Sequence, residues 1–330
     1  MHHGRLDRNT AHGLKELRAR IDAAGIPSSA LDETINIATW NIRAFGKNGR
    51  QDAALHYIAE IINSFDVVAI TELNENLEDL KKVMCILGPY WKVVYSDAVP
   101  DPAGNRERIG FIYDGRALRF SGLAAEADPK RIRLRLPDGQ EEVEYVRPFE
   151  WWRSPYLVSF QAGNFDFILL AAHIRWGRSI RKRVKELHGL AEWVHMRREN
   201  PHVVDRDMIV LGDFNVTSRR SGTYKAITEY GLQVAPGLRR DEFGTDLARG
   251  KRYDQIMHYP LHDSLYRNLK GEYAAPAGVL DFYQGDHRPL FPEQDMGKEE
   301  FTFQLSDHLP LWMQLNIWDD DLRLDQLLGG

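Results

Sequence analysis

Apolar residues in this chain recur with two periods, and strand-like and helix-like segments alternate from about residue 35. INIATWNI and VVAIT have the apolar character of buried strands, and Leu55, Ile58 and Ile62 between them fall at helical spacing. The predicted strands are 35–42, 67–71, 91–96, 108–114, 156–160, 165–173, 208–212, 253–259 and 308–317. The further predicted helices are 76–87, 179–199 and about 223–230. This alternation is typical of an α/β protein.

The order of the segments also predicts how the strands pair. Two strand-helix-strand units between residues 35 and 96 predict parallel pairing. The section that follows is joined by short turns, with Pro137-Asp138-Gly139 between RIRLRL and EEVEYV, and it predicts antiparallel hairpins. We expect one compact α/β domain with a mixed sheet system.

Residues 1–33 differ from the rest of the chain. Leu14, Leu17 and Ile21 recur at helical spacing, and a segment rich in glycine, proline and serine follows at 25–29. We predict an N-terminal helical leader over 1–33, packed on or tethered to a main domain over 34–318, with a C-terminal tail at 319–330.

Composition narrows the class of protein. Of 330 residues, 43% are hydrophobic and 28% are charged, as in an ordinary globular domain. The net charge of -5 argues against non-specific coating of nucleic acid but leaves room for a local basic groove. No apolar run approaches the roughly 20 residues that span a bilayer, so no membrane partner is expected. Cys85 is the only cysteine, which fits a reducing compartment and a cytoplasmic location.

Polar side chains with metal or phosphate chemistry lie at the ends of five predicted strands. These residues are Asn41, Glu72, His173, Asp213 with Asn215, and Asp307 with His308. Each alone is most simply a turn former or a hydrogen-bonded structural residue. Strand ends meet at one edge of a sheet, so together they predict one site. Carboxylates without cysteines suit a hard cation, which we expect to be Mg2+, with Mn2+ as a substitute.

Eight short motifs appear in a fixed order along the chain. They are TWNIR, ITEL, RERIGFIYD, RSPYLVSF, LLAAHI, LGDFN, YDQI and SDHLP, from about residue 35 to 317. Their order and content resemble the endonuclease/exonuclease/phosphatase superfamily, which has the deoxyribonuclease I-like fold. The resemblance implies an α/β (α+β) four-layer sandwich, in which two mixed β-sheets pack face to face between helices. It also implies metal-assisted hydrolysis of a phosphoester by water.

The resemblance assigns roles to the acidic and amide residues at the strand ends. Glu72 would bind the metal, with Asn41 beside it and Asp307 completing the site. Asp213 would orient and deprotonate the attacking water, and Asn215 would hold that geometry.

Two histidines receive roles in the same way. His308 would contact the phosphate, with Asp254 fixing its tautomer. His173 would lie near the leaving oxygen, with Glu107 as its carboxylate partner, although a surface ion pair of Glu107 with a flanking arginine remains open. Arg153 would contact phosphate. Carboxylate-histidine pairing is therefore predicted twice.

Arginines in the loops beyond two strands bear on the substrate. Arg175 and Arg178 follow the LLAAHI motif, and Arg219 and Arg220 follow LGDFN. Cations at these positions favour a substrate with several phosphates, of which nucleic acid is the commonest polymer. Trp176 either stacks on a base or sugar or packs in the core or an interface.

The long predicted helix carries more cations. Its apolar face is predicted to contain Ile180, Val184 and Leu187, so Lys182 and Arg183 are predicted to be solvated on the polar face, as is Lys185.

Three functions fit these observations. The first is a Mg2+-dependent phosphodiesterase that acts on nucleic acid, with DNA preferred, as an endonuclease. The second is a phosphatase or phosphodiesterase for a small phosphoester such as an inositol phosphate, lipid head group or nucleotide. The third is a binding module that has lost the chemistry, which is disfavoured because Glu72, Asp213 and His308 are all present. Nothing in the sequence points to a particular oligomeric state.

Overall fold

The computed structural model describes residues 1–100, 105–128, 131–145, 151–203, 205–239, 243–259 and 276–317, together with residue 328. In chain order the strands are β1 (Thr34–Phe45), β2 (Val67–Asn74), β3 (Trp91–Tyr95), β4 (Val99–Pro100), β5 (Arg106–Asp114), β6 (Arg119–Glu126), β7 (Arg131–Arg135), β8 (Glu141–Tyr145), β9 (Tyr156–Ala162), β10 (Phe165–His173), β11 (Met208–Asp213), β12 (Gln233–Val234), β13 (Asp254–His258), β14 (Ala277–Val279) and β15 (Leu311–Asn316). The α-helices are α1 (Arg8–Ala23), α2 (Asp52–Ile62), α3 (Glu78–Leu87), α4 (Ile180–Glu199), α5 (Gly222–Thr228) and α6 (Lys298–Gln304). Short 3-10 helices lie at Pro236–Arg239 and Arg288–Leu290.

Two mixed β-sheets form the centre of the molecule. The first has the strand order β14-β15-β1-β2-β5-β3, with β4 also paired to β5, and the second has the order β12-β13-β11-β10-β9-β6. In the first sheet β1 and β2 are parallel, and in the second β10 and β11 are parallel. The sheets pack face to face around buried aromatic side chains such as Trp40, Phe111 and Phe160. The predicted fold, two mixed sheets flanked by helices, is confirmed.

The helices lie on the outer faces of the sheets. Because α2 joins the parallel pair β1 and β2, and α4 joins the parallel pair β10 and β11, each crosses over the face that the other sheet does not cover. Helix α3 packs beside α2, and α5 packs beside α4. Both parallel pairs end at the same edge of the sandwich, where Asn41 of β1 contacts Asp213 of β11.

Helix α1 is anchored to the main domain. The Asp7 side chain caps it by accepting from the backbone N–H groups of Asn9 and Thr10. Leu14 and Leu17 are buried in the common core. The Arg20 guanidinium is also buried and donates to three carbonyl oxygens within 282–286. Helix α1 thus packs on the main domain beside α2 and the 3-10 helix Arg288–Leu290.

The second predicted strand-helix-strand unit does not pair as expected. Strand β3 forms hydrogen bonds with β5 in antiparallel fashion, and β5 pairs antiparallel with β2. Strands β2 and β3 therefore point the same way, but β5 lies between them. The prediction of parallel pairing is confirmed for β1 with β2 and is wrong for β2 with β3.

Other differences are local. The hairpin around Pro137-Asp138-Gly139 is confirmed as β7 and β8, and it forms a two-stranded sheet of its own. Strand β6, strand β14 and helix α6 were not predicted from the pattern. Strand β15 begins at Leu311 rather than at 308, because His308 makes an isolated bridge with Asp246 instead. The predicted tail 319–330 lies outside the described residues apart from residue 328.

Candidate active site

Strand register brings the polar strand-end residues together. In the second sheet His173 is opposite Asp213, and Asp213 is opposite Asp254. In the first sheet the continuous parallel register of β1 with β2 ends where Asn41 is opposite Thr71, the residue before Glu72. The two sheets meet at this edge, where the Asn41 Nδ2 donates to the Asp213 Oδ2 at 3.1 Å.

Asp213 lies at the centre of this group. Its Oδ1 accepts a hydrogen bond from the Asn215 backbone N–H at 2.9 Å. Besides Asn41, its Oδ2 faces the Nε2 of His173 at 3.6 Å and the Nε2 of His308 at 3.9 Å. The Asn215 side chain is directed elsewhere, since its Nδ2 donates to the Ile174 carbonyl at 2.8 Å. One carboxylate oxygen is therefore shared by three polar side chains from three parts of the chain.

His308 forms the first of the two predicted carboxylate-histidine pairs. Its Nδ1 lies 2.8 Å from the Asp254 Oδ2, and both side chains are buried. Burial lowers the pKa of His308, but the charges of Asp254, Asp213 and Asp307 outweigh burial and raise this pKa well above its usual value. Burial also raises the pKa of the Asp254 carboxyl, although the His308 charge acts to lower it. Because three carboxylates face the ring, we place the shared proton on His308.

His173 forms the second pair. Its Nδ1 lies 3.2 Å from the Glu107 Oε2, which also lies 2.7 Å from the Arg153 Nε. Burial and the Arg153 charge lower the pKa of His173, but Glu107 and Asp213 outweigh them and the net shift is upward. Burial raises the pKa of Glu107, and the cationic partners reverse that shift so that it is lowered. The surface-only alternative for Glu107 is wrong, because its side chain is largely buried beside His173.

The Glu72 carboxylate is held by two donors. Its Oε1 accepts from the Asn41 Nδ2 at 3.0 Å and its Oε2 accepts from the Ala44 backbone N–H at 2.8 Å. Glu72 has φ of 61°, and Ala44 and Asn215 have φ of 50° and 51°. Left-handed backbone is uncommon for residues other than glycine, and for glutamate it costs stability. The fold keeps this conformation where it directs a carboxylate into the cleft.

A cleft of about 360 Å³ opens beside these residues. Its walls include the site residues Glu72, Glu107, Arg153 and His173. The other lining residues are Ala44, Lys47, Asn74, Asn105, Trp152, Trp176 and Gly177. Asp307 is partly exposed and lies close enough to His308 to raise its pKa. The strand-end residues therefore converge beside one open cleft.

The sequence profile of the Endonuclease/Exonuclease/phosphatase family matches residues 38–308. The chain belongs to this family. Members of the family are hydrolases that act on phosphoester bonds, and they generally depend on a divalent metal. A search of curated proteins found no match.

Solved structures share the fold at low sequence identity. The mannosyl-6-phosphatase Bt3783 of Bacteroides thetaiotaomicron has a TM-score of 0.52 and 16% identity, covering 85% of this chain and 99% of its own. The human Nocturnin catalytic domain with bound sulfate has a TM-score of 0.51 and 14% identity, covering 87% and 96%. Humanized D. rerio TDP2 has a TM-score of 0.51 and 12% identity, covering 86% and 99%. These likenesses support the endonuclease/exonuclease/phosphatase fold.

A divalent metal of the kind used in this family fits the residues present. The Asn41 Oδ1 is buried and has no hydrogen-bond partner among the described residues. Glu72 and Asp213 supply oxygen donors close by, since both accept from the Asn41 Nδ2. An oxygen-rich donor set with one unused amide oxygen suits a hard cation.

A second group of possible ligands overlaps the first. In the described part of the chain, ligand atoms of Asp213, Asp254 and His308 lie within 4.8 Å of one another. Here the His308 Nδ1 and the Asp254 Oδ2 are already joined by a hydrogen bond. A cation would have to break that bond to use both residues, so the Glu72 side of Asp213 fits a metal better.

The predicted phosphate-binding arginines are not all in the cleft. Arg153 lines it, whereas the Arg175 Nε is 2.7 Å from the buried Glu186 and its guanidinium lies over the Trp152 ring. Arg219 donates to the Leu238 carbonyl at 2.8 Å. The remaining two, Arg178 and Arg220, are exposed.

Helix α4 contributes two residues that the sequence interpretation missed. Arg183, predicted to be solvated, is only 5% exposed, and burial lowers its pKa. Its guanidinium donates to the carbonyls of Arg175 at 3.1 Å and Gly177 at 2.9 Å. Glu186 accepts from the Trp152 backbone N–H at 2.9 Å. Helical spacing contained the signal. Position 183 lies four residues before the buried Leu187, and position 186 lies four residues before the buried Leu190.

Ser306 was also missed. Its Oγ donates to the Asn41 carbonyl at 2.6 Å and accepts from the His308 backbone N–H at 3.0 Å. The hydroxyl thus joins the end of β1 to the loop that carries His308. A serine next to the Asp307-His308 pair was the available sequence signal.

No described helix is long and apolar enough to cross a membrane.

Proposed function

We propose that the protein is a divalent-metal-dependent phosphodiesterase that hydrolyses nucleic acid, with DNA preferred, as an endonuclease. The observation that carries the proposal is the convergence of Asn41, His173 and His308 on one oxygen of Asp213. Hydrolysis of a phosphodiester needs a positioned water, neutralisation of charge on the phosphate and a proton for the leaving oxygen. The group around Asp213 has a candidate residue for each.

Asp213 is the proposed general base. Its Oδ1 accepts from the Asn215 backbone N–H, and its Oδ2 faces the two histidines proposed to act on the phosphate, so the Oδ2 is the oxygen proposed to accept a proton from water. Asn41 donates to that Oδ2 and fixes the direction of the carboxylate. General-base catalysis of this kind contributes about 10²- to 10⁴-fold to rate.

Glu72, Asn41 and Asp307 are the proposed metal ligands. Mg2+ is the expected ion and Mn2+ a substitute, because the donors are oxygens. When bound, the cation neutralises charge on the phosphate oxygens. The Ala44 backbone N–H holds the Glu72 Oε2 and the Asn41 Nδ2 holds the Oε1, so the carboxylate has a fixed direction.

The two histidines and Arg153 act on the phosphate. His308, kept cationic by Asp254, donates a hydrogen bond from its Nε2 to a phosphate oxygen. His173, held by Glu107, donates a proton toward the leaving oxygen. Arg153 lines the same cleft and attracts the phosphate.

Exposed cations support a polyanionic substrate. Arg178 follows the cleft residue Gly177, and Arg220 follows the loop that begins at Asn215. A small monophosphate would use the cleft but would have no use for cations beyond it. This feature favours nucleic acid over a small phosphoester.

A substrate panel tests the proposal. Purified protein with Mg2+ or Mn2+ is incubated with plasmid DNA, single-stranded DNA, RNA, mannose 6-phosphate and an inositol phosphate. We expect cleavage of DNA with internal products, and complete loss of cleavage in EDTA that excess Mg2+ restores. Release of phosphate from the small esters, with every nucleic acid left intact, would show that the substrate assignment is wrong.

A further inference from the structure

A continuous exposed segment, residues 176–182, lies at the mouth of the cleft and is here named the basic turn. Every residue in it is exposed, and Trp176 and Gly177 also line the cleft. It contains Arg178, Arg181 and Lys182 and no acidic residue. Within the described part of the chain, none of these three cations forms an ion pair. The basic turn therefore presents uncompensated positive charge beside the candidate active site.

Trp176 is exposed but held in a fixed position. Its indole is 62% exposed, yet it meets the Tyr253 ring edge-on with centroids 5.5 Å apart. The Arg183 guanidinium lies 4.9 Å from its ring centre. Arg183 is itself tied to the carbonyls of Arg175 and Gly177 on either side of the tryptophan. The ring is thus supported from the protein side and presents its remaining surface to solvent at the cleft.

The sequence left stacking and packing in the core or an interface open for Trp176, and the structure excludes packing in the core. A side chain with this exposure is not part of the core. A large, rigid aromatic surface next to phosphate-binding groups is the arrangement by which proteins stack on bases, and arginine stacking strengthens it.

We propose that the basic turn is the platform that binds single-stranded nucleic acid at the active site. Trp176 stacks on the unpaired base next to the reacting phosphate, and Arg178, Arg181 and Lys182 contact the phosphates beyond it. This inference rests on the proposed function and specifies its substrate as an unpaired strand, because a paired base inside a duplex does not expose its face.

A membrane surface is the other partner with this charge. Ile180 is 63% exposed in the same segment, and cations with exposed aromatic and aliphatic side chains also bind anionic lipid. Trp176, however, lies on the cleft wall with Glu107 and His173, so its ring adjoins the reacting groups. That position serves a polymeric substrate, and lipid binding becomes an outcome of the test.

The first experiment tests stacking by removing the Trp176 ring from the protein and the bases from the substrate. Wild type, Trp176→Ala and Trp176→Phe are assayed on an oligothymidylate and on an abasic oligomer of equal length. For wild type we expect loss of the bases to raise KM about tenfold. For Trp176→Ala the two oligomers should have the same KM, and Trp176→Phe should restore most of the difference. An equal base effect in wild type and Trp176→Ala would overturn the stacking role.

The second experiment tests the cations. Arg181→Gln/Lys182→Gln is compared with Arg8→Gln/Lys15→Gln, which removes the same charge from exposed positions on α1. The first pair should weaken binding of the oligomer and reduce the slope of log affinity against log salt by about 1.5, as expected for two single-strand phosphate contacts. The α1 pair should leave that slope unchanged. Equal slopes in all three proteins would overturn the phosphate contacts.

Two controls separate the platform from the proposed function. If wild type cleaves neither oligomer, the proposed function fails. If it cleaves both but Trp176 and the cations have no effect, only the platform fails. Binding of wild type to phosphatidylglycerol vesicles that is lost in Trp176→Ala, with oligomer KM unchanged, would assign the basic turn to a membrane and overturn the proposal.

Discussion

Gly212 determines, at the scale of one residue, how closely the strand that carries Asp213 approaches its neighbour. It has φ of 132°, and a Cβ at this position would lie 2.1 Å from the Ala172 carbonyl oxygen. Only glycine combines that conformation with that distance. The residue is adjacent to Asp213 and opposite Ala172, which precedes His173. Close approach here is what allows Asp213 and His173 to face each other.

Gly212→Ala is therefore expected to lower both stability and activity. The free energy of unfolding should fall by about 3 kcal/mol, and kcat should fall about 100-fold as Asp213 moves from its position. Denaturant unfolding and steady-state cleavage of DNA measure the two effects.

Gly222→Ala is the matched control. Its Cβ would lie 3.7 Å from the nearest atom, Val184 Cγ2, in ordinary van der Waals contact. Because alanine also favours helix, this variant should be neutral or more stable by up to about 1 kcal/mol. A Gly212→Ala protein that behaves like Gly222→Ala would contradict the account of this position.

At the scale of one element, buried side chains of a helix hold the loops that form the cleft. Helix α4 shows this most clearly, since its buried Arg183 and Glu186 hold the loops that carry Trp176 and Trp152. A run of cations in a sequence normally lies on a solvated face, which is why the pattern predicted Arg183 to be exposed. Helical spacing places Arg183 near the buried face, but its burial also depends on carbonyl oxygens of Arg175, Gly177 and Asn215, whose positions the spacing does not show.

Strand β13 contains a buried histidine outside the candidate site, His258. Burial and the Arg239 charge lower its pKa from 6.5 to about 4. The unfolded chain therefore takes up a proton as pH falls through 6.5, whereas the folded protein stays neutral there until about 4. The histidine should thus make folding less favourable as pH falls across this window, and it should have no such effect above about pH 7.5.

Measured unfolding should show this dependence. Between pH 7.5 and pH 5, His258 should account for a loss of about 2 kcal/mol in the free energy of unfolding of the wild type. The variant His258→Gln has no imidazole to titrate. Its free energy of unfolding should therefore fall by about 2 kcal/mol less than that of the wild type over the same pH interval. Denaturant titrations at the two pH values measure the difference, and the same pH dependence in both proteins would contradict it.

The whole molecule joins two sheets whose parallel strand pairs end at one edge. The convergence of Asn41 with Asp213 was predictable, because strand ends are visible in the sequence and parallel strands carry them to the same place. The position of β5 between β2 and β3 was not predictable from the sequence, since pairing between distant segments depends on packing. Trp152 gave no local signal either, because its place at the cleft depends on the buried carboxylate of Glu186.

The central claim is that Asp213 activates water for phosphodiester hydrolysis. Asp213→Asn keeps the size of the side chain and its bond from the Asn215 N–H, but it removes the base. A suitable control is Asp205→Asn, before the other end of β11, where burial raises the pKa of the carboxyl to about 6 without contact with the site.

The most direct measurement is kcat for Mg2+-dependent cleavage of single-stranded DNA by wild type and these two variants, with folding checked by circular dichroism. We expect Asp213→Asn to lower kcat by about 10²- to 10⁴-fold and Asp205→Asn to stay close to wild type. A folded Asp213→Asn protein that cleaves DNA within about threefold of the wild-type rate would contradict the account, because it would lack the expected general-base contribution.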